Sequence, residues 1–525
     1  MTRQAFWFES QDWLSDLVKV VAARIYELGG HPYLVGGAVR ARVRKEVTGV
    51  DEGIKDFDVA SDLSAEVLMK AGVPGTTTVD LGKGPKYGVV AFAWKCPRSH
   101  RSEQVEVAML RKDRQVGPKR TDVNVEFTDS IVEDLRRRDM PFNAMAYDLV
   151  SGEFFDPFDG KGSIISGVAR ATDDAWQCYM DDPLRMVRYF RFACRYDMEY
   201  DVTTLEAMSC PEIHDRMQMN PETDKLEVAG FNNLSGERVG DEFTKILSLK
   251  PAKAARAFRS MMEVGLLDKW LPEVVGMRFY PQDKKWHSHP VEEHTFMAMA
   301  AFNPFTIPEK YRKLFWKLGM WALLLHDVGK PVVHKATGKF YEHDKTSAQM
   351  ADVIFDRLKL SRFFDKKRFL FYIESHMVGL TLGRPTKMLA KSGVAFFEDQ
   401  EDRLAHLELM KAIRTADQQG RSFKLEQEEA ETTAVYEKLK EMILTGKAAT
   451  KKDLPVTGKD VLTIEKEVAT AQGRPARKPH TWVGDVLDVV YEEEVNRQAD
   501  ARDVETSDVV RRTLLSRIRE LVVQT

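Results

Sequence analysis

The chain is poor in cysteine and carries no excess of charge of either sign. Among its 525 residues the only cysteines are Cys96, Cys178, Cys194 and Cys210, and no two of them form a C-x-x-C pair. Neither a disulfide framework nor a cysteine-built zinc site is expected, and a reducing compartment suits such a chain. Lysine and arginine number 78 against 81 aspartates and glutamates, a formal net charge of −3. Any surface that meets nucleic acid must therefore be local. No apolar run is long enough to span a membrane. The opening MTRQAFWFESQDW contains acids and lacks the apolar core of a signal peptide. The expectation is a soluble, cytoplasmic protein with no membrane partner; the sequence leaves its oligomeric state open.

What is present points to several domains. The length exceeds what one hydrophobic core usually holds, and 43% hydrophobic with 30% charged residues is a globular balance. Residues 11–29 follow helical spacing and stop at Gly29-Gly30. His31 to Val35, Phe57 to Ala60, Gly88 to Trp94 and Val105 to Leu110 read as strands. From about residue 174 the pattern becomes helical and stays so, interrupted by a loop-rich stretch at 218–236 that contains Pro221 and by a break near 275–290. Residues 445–480 read as a linker with short elements, and 481 onward as helical. The expected fold class is α+β: a small mixed-sheet head over 1–160, a mainly helical neck and body over 161–280, a helical domain over 281–430 and a helical tail over 431–525.

A strand, then Gly36-Gly37, then a helix begun near Arg40 is an arrangement that can cradle phosphate, because glycine admits a close oxyanion and helix N-terminal amides donate to it. By itself such a turn is often only structural. Asp56-Phe57-Asp58 follows 19 residues after Gly37. Residues i and i+2 of a strand point to one face, so both carboxylates would converge and repel unless a cation lies between them. Oxygen ligands suit Mg²⁺, which also takes substrate phosphates. Glu106, on a later strand, could supply a third carboxylate. The set suggests two metal ions between a nucleoside triphosphate and a primer, one lowering the pKa of the attacking 3′-OH and the other stabilising pyrophosphate.

Five ordered motifs, YLVGGAVR (33–40), DFDVA (56–60), KYGVVAF (86–92), VEVAMLR (105–111) and RRRDMPFNAMAYD (136–148), resemble the head domain of class II CCA-adding enzymes and bacterial poly(A) polymerases. The resemblance covers roughly residues 30–275. It implies metal ligation by Asp56 and Asp58, contact of Gly36, Gly37 and Arg40 with the triphosphate, and a grip on ribose and phosphates by Arg138, Asp139 and Asn143. Met140-Pro141-Phe142 departs from the family pattern, and Pro141 removes a backbone donor.

The segment Asp181-Asp182-Pro183-Leu184-Arg185 continues to Arg188 and Arg191, placing arginines every three residues on one stripe. Asp182 and Arg185, at i and i+3, can be an ordinary intrahelical salt bridge. They can also read a base, the carboxylate accepting from an exocyclic amino group and the guanidinium donating to a ring nitrogen. Cytosine and adenine offer that amino group, whereas uracil and guanine present a carbonyl that is repelled. In the family this helix commonly begins Glu-Asp-x-x-Arg, and its later arginines, here Arg188 and Arg191, bind triphosphate. Glu237-Arg238 with Glu242-Phe243 resembles a later family element, in which an i, i+4 Arg238–Glu242 pair is expected to be structural.

Eight of the twelve histidines fall between 287 and 406. The candidates for chemistry are His294, His326-Asp327, His343, His376 and Asp417, since imidazole and carboxylate suit a transition metal or Mg²⁺. The ordered set, within HPVEEHT (289–295), LLHDVGKP (324–331), YEHDKTSA (341–348) and ADQQGR (416–421), resembles the HD domain fused to some bacterial CCA-adding enzymes. That implies a divalent metal of unspecified identity and hydrolysis of phosphomonoesters or 2′,3′-cyclic phosphates by metal-activated water. His287, His289, His334 and His406 read as ordinary residues. VTGKDVL (456–462) and TWVGDVLDVVYEEEV (481–495) resemble the tRNA-gripping tail of the same enzymes, with Lys451, Lys452, Lys459, Arg474, Arg477 and Lys478 available to phosphates.

The leading expectation is template-free addition of C, C and A to tRNA from CTP and ATP, with Mg²⁺ at the head. Its rivals are a poly(A) polymerase, an enzyme adding only part of CCA, an HD phosphohydrolase with an inactive head, and a tRNA-binding or chaperone protein, which would not need the metal carboxylates.

Overall fold

Alternating and apolar segments of the head associate into one sheet, as their period of two requires. In the computed structural model, residues 6–79, 88–95, 102–115, 123–215, 217–220, 225–228, 230–285, 287–377, 392–397, 399–421, 425–445, 454–500 and 507–524 are described. Cys96, Lys86, Tyr87, Pro221, Lys451 and Lys452, all named above, lie outside them. The chain divides into two compact units, 1–246 with 256–270, and 247–255 with 271–525.

In the first unit the strands are β1 (Pro32–Val35), β2 (Phe57–Ser61), β3 (Thr77–Val79), β4 (Val89–Lys95), β5 (Ser102–Met109), β6 (Arg111–Gln115), β7 (Val123–Phe127), β8 (Ala146–Asp148) and β9 (Phe154–Phe155). Seven of them form a sheet in the order β3-β4-β5-β2-β1-β8-β9, and β6 pairs with β7 as a separate hairpin. The β2–β5 pairing is parallel and the remaining pairings in the large sheet are antiparallel, so the sheet is mixed, as expected. Val35, Ala60, Leu110, Ile131, Leu135, Ala144 and Ala146 form a core against it. The first long helix is Asp16–Glu27, shorter than the 11–29 pattern. Ser15 caps it by accepting from the Val18 amide, and Leu17, Val18, Val21, Ala22 and Ile25 form its buried face.

Beyond residue 160 the first unit is mainly helical but not wholly so. A parallel pair joins Val168–Ala169 to Glu199–Tyr200, and a hairpin joins Met217–Asn220 to Lys225–Val228. The hairpin falls in the stretch expected to be loop-rich, whereas the two-residue strands of the parallel pair are too short to show in the pattern. In the second unit the helices include Val291–Ala301, Glu309–Leu325, Lys330–Thr337, His343–Arg357, Lys366–Glu374 and Gln400–Gly420. The 445–480 stretch, read as a linker, contains the full helix Gly458–Ala471, opened by a capping box between Thr457 and Asp460. Thr481–Asp500 and Ser507–Gln524 follow. No helix among the described residues is long and apolar enough to cross a membrane.

Candidate functional site

The head site is built around one glycine. β1 ends at Val35, and Gly36 then turns the chain with φ +72° and ψ −133°. A Cβ at Gly36 would stand 3.2 Å from Asp58 Oδ2 and 3.4 Å from Arg138 Nη1. A side chain here would meet both an unfavourable backbone region and two crowded neighbours. At Gly37 an added Cβ would touch only Arg40, at 3.7 Å, an ordinary contact. Because Gly36 completes the turn, the helix begins at Gly37, three residues before the expected start, and runs to Thr48.

That helix carries Arg40 toward Asn143. Arg40 Nη1 donates to Asn143 Oδ1 at 2.5 Å, and Asn143 Nδ2 donates to Asp139 Oδ1 at 2.8 Å. Arg188 reaches Asp139 Oδ2 at 2.8 Å. Burial favours a neutral Asp139, but Arg188 and the Asn143 amide outweigh it and hold the carboxyl below its ordinary range. Pro141, the departure from the family pattern, opens a 3-10 turn over Pro141–Asn143. The first position of such a turn has a spare amide, so the missing donor costs nothing there.

Asp134 is fully buried and binds Arg137 at 2.8 Å and Arg138 at 3.2 Å. Burial again opposes ionisation, and the two arginines again prevail, lowering the pKa. This contribution to stability is complete above the ordinary carboxylate pKa and fades as pH falls through the lowered value. Its structural effect is to pin both guanidiniums.

These groups line a cleft of about 500 Å³. Arg40, Arg111, Arg137, Arg138, Arg185, Arg188 and Arg238 face it, against Asp58, Asp139, Asp181 and Asp182. The positive excess suits a polyanion. Gly36, Gly37 and Asn143 also line it, whereas Asp56, Glu106 and Arg191 do not. Asp58 lies opposite Glu106 in the parallel β2–β5 register, so the two side chains share a face. Asp56 lies just before β2 and is exposed. Among the described residues these three acids do not form a group with ligand oxygens within 4.8 Å of one another. Arg191 instead binds Glu242 at 2.7 Å.

Asp182 and Arg185, the pair expected to read a base, are arranged differently from an intrahelical salt bridge. Asp182 caps the C-terminus of Ala175–Asp181 with extended backbone, and the next helix starts at Leu184, after Pro183. Asp182 Oδ1 lies 3.3 Å from Arg238 Nη2. Arg185, 5% exposed, donates from Nη1 to the Cys178 carbonyl at 3.0 Å. The expected Arg238–Glu242 pair is replaced by two cross-element pairs, Arg238–Asp182 and Arg191–Glu242. Spacing along one helix could not reveal partners on another. Sequence reasoning misses Arg111, Arg137 and Arg238 as lining residues, although the first two stand inside quoted motifs; it also misses Phe192.

The second unit brings all six histidine and aspartate candidates together. They form two buried trios, His294–His326–Asp417 and Asp327–His343–His376, each with its ligand atoms within 4.8 Å of one another. Asp327 stands between them: Oδ2 is 3.4 Å from both His294 Nε2 and His326 Nε2, and Oδ1 is 3.2 Å from His343 Nε2 and 3.7 Å from His376 Nε2. In His326, His343 and His376, Nδ1 lies 2.6–2.7 Å from a backbone carbonyl three residues earlier. A proton fixed there leaves Nε2 as the inward lone pair, the usual setting of a metal-binding imidazole. Burial opposes charge on Asp327, yet His326 and Lys330 hold its pKa well below the ordinary value. Neither of its oxygens accepts a hydrogen bond of good geometry, although Lys330 Nζ stands 2.6 Å from Oδ2. A buried carboxylate so placed among imidazoles fits a divalent cation.

Lys330 is a residue beside the cluster that sequence reasoning misses, although it stands inside the LLHDVGKP segment, three residues after Asp327. His287, read as ordinary, lies ring to ring with His294 at 5.0 Å. His334, by contrast, meets the Tyr280 hydroxyl, and His406 is held by Tyr372 and the Ser392 carbonyl, away from the cluster. In the tail, Arg474 and Arg477 both bind the buried Glu465, so part of their charge is taken up within the fold.

Fold and cleft together define a nucleotidyltransferase head, and comparison with known proteins agrees. Residues 32–170 match the poly A polymerase head domain, and residues 231–277 match the probable RNA- and SrmB-binding site of polymerase A. The resemblance read in the sequence thus holds: this head is similar to that of class II CCA-adding enzymes and poly(A) polymerases. The multifunctional CCA protein of Haemophilus ducreyi is 28% identical over 345 residues, 62% of this chain and 71% of that protein. Its counterpart in Neisseria meningitidis serogroup A is 30% identical over 306 residues, 57% of this chain and 61% of the relative. The Bacillus stearothermophilus CCA-adding enzyme, solved in complex with CTP, has the same fold, with a TM-score of 0.59 and 20% identity over 98% of this chain and all of that one. The Thermotoga maritima CCA-adding enzyme, solved with tRNA, gives a TM-score of 0.51 and 18% identity over 96% of this chain and 97% of that one.

Proposed function

We propose that this protein adds C, C and A to the 3′ end of tRNA from CTP and ATP without a nucleic-acid template. The observation that carries this reading is the convergence, in one cleft, of the Gly36 turn, Asp58, the arginine set, and the Asp182 and Arg185 pair. Arg40, Arg138 and Arg188 are suited to the triphosphate, since planar guanidiniums bind phosphate oxygens bidentately. Arg185, tied to the Cys178 carbonyl, keeps donors for a ring nitrogen. Asp182 accepts from an exocyclic amino group. Asp56, Asp58 and Glu106 are hard oxygen donors that fit Mg²⁺. When bound, Mg²⁺ supplies a lower pKa at the primer hydroxyl and neutralisation of pyrophosphate. The family of the head, and relatives named for CCA addition and solved with CTP or tRNA, support these partners. Equilibrium binding tests the base-reading part: CTP and ATP should bind about tenfold or more tightly than UTP and GTP. Equal affinity for all four would remove Asp182 and Arg185 from base selection.

Within this reading, 1–160 is the head, 161–280 the neck and body, 281–430 an HD domain and 431–525 a tail that grips tRNA. The cluster centred on Asp327 is a metal-dependent phosphohydrolase site for phosphomonoesters or 2′,3′-cyclic phosphates, with a place for one cation in each trio. The metal would supply an activated water there. His326→Ala combined with Asp327→Ala should release the bound metal and end phosphomonoester hydrolysis while nucleotide addition continues. Elemental analysis showing full metal content in that variant would refute the ligand assignment.

A further inference from the structure

Beside the Asp327 cluster lies a cavity of about 720 Å³, with His343 and Asp417 of the cluster in its wall. Its size suits an organic ligand rather than a bare ion. Lys330 and Arg421 face the same cavity and are built into it. Lys330 is 6% exposed, with Nζ 2.6 Å from Asp327 Oδ2 and 2.8 Å from Gln282 Oε1. An ammonium has three donors, so two contacts leave one. Arg421 follows the helix Gln400–Gly420, one turn beyond Asp417. Its Nη2 stands 3.1 Å from Glu428 Oε2 and 4.0 Å from Asp417 Oδ2, yet Nε and Nη2 are buried and make no hydrogen bond of good geometry. His287 is on the same wall, and its Nδ1 is likewise buried without a hydrogen bond. Buried polar groups left this way are costly, and an anion bringing several acceptor oxygens would satisfy the cationic donors.

We infer that Arg421 and Lys330, with His287 beside them, form a phosphoryl-binding wall that seats a phosphate ester against the metal cluster. The inference rests on the phosphohydrolase reading and names the residues that give that site its substrate. The organic group of the ester lies in the remainder of the cavity, where Phe340 and His334 stack at 4.5 Å and 10° and both line the wall. A flat face of this kind favours esters with a planar group over small aliphatic phosphates.

The test uses the full chain loaded with divalent metal, with inorganic phosphate as the binding probe and p-nitrophenyl phosphate as the substrate. In R421M, the Kd for phosphate and the KM for the ester should both rise roughly tenfold or more, with metal content unchanged. R421K should recover part of the loss, and H334A should raise the KM for the aromatic ester while leaving phosphate binding intact. Phosphate affinity within twofold of the parent in R421M overturns the inference. So does loss of metal in R421M, which would make Arg421 a support for Asp417. A parent protein that binds metal but no phosphate overturns the inference alone. A parent that binds no metal removes the phosphohydrolase reading and the inference with it.

Discussion

Replacing Asp56 and Asp58 together by alanine should reduce nucleotide addition by roughly 10³-fold or more while tRNA binding persists. Phosphoryl transfer depends on placing charge-neutralising groups where negative charge develops, and in the proposed reading these acids are oxygen donors for a cation. The two positions are not equivalent. Both are exposed, but Asp58 lines the cleft and shares a face with Glu106, whereas Asp56 lies before β2 and outside the cleft lining. The single Asp58→Ala variant should therefore already show most of the loss. The substitution removes no cationic side chain that could meet RNA phosphates, so a tRNA binding assay should read near the parental affinity. Addition at a tenth of the parental rate or better in the double variant would detach these carboxylates from catalysis.

Arg185→Ala should blur the choice of base. The guanidinium is buried and held by the Cys178 carbonyl, so it offers donors at a fixed place, and fixed donors discriminate best. Removing charge-assisted hydrogen bonds worth about 1.5–3 kcal/mol lowers discrimination by roughly 10- to 100-fold. The quantity to measure is the ratio of CMP to UMP incorporation at the first added position. Arg238→Ala is an informative companion, because Arg238 holds the Asp182 carboxylate from another helix. A CMP to UMP ratio unchanged in Arg185→Ala would mean that selection lies elsewhere in the cleft.

The comparison of sequence and structure separates what spacing can carry from what it cannot. β1, β2 and β4 are legible as short apolar runs and β5 by its alternation, and the Asp58–Glu106 match follows once the register is known. The histidine cluster is legible because its residue types are rare and share one chemistry, so six positions spread over more than a hundred residues can be gathered in advance. Long-range ion pairs are not legible. Arg238 has an acid four residues ahead on its own helix yet meets Asp182, and Arg474 and Arg477 look available to phosphates yet close on Glu465. Lys330 and Arg421 are illegible for a related reason: both stand inside quoted motifs, but lysine and arginine are usually solvated, and only burial sets these two apart. The short strands at Val168–Ala169 and Glu199–Tyr200 escaped because two residues carry no periodicity.

The central claim is that one arginine-lined cleft chooses and joins C, C and A. The most direct measurement incubates the protein with Mg²⁺ and a tRNA ending at the base before CCA, offering CTP and ATP singly and together, and sequences the products. The account predicts cytidines alone with CTP, and C, C and then A, with no further growth, when both are present. Long adenosine tails from ATP alone, or no addition under any condition, would contradict it.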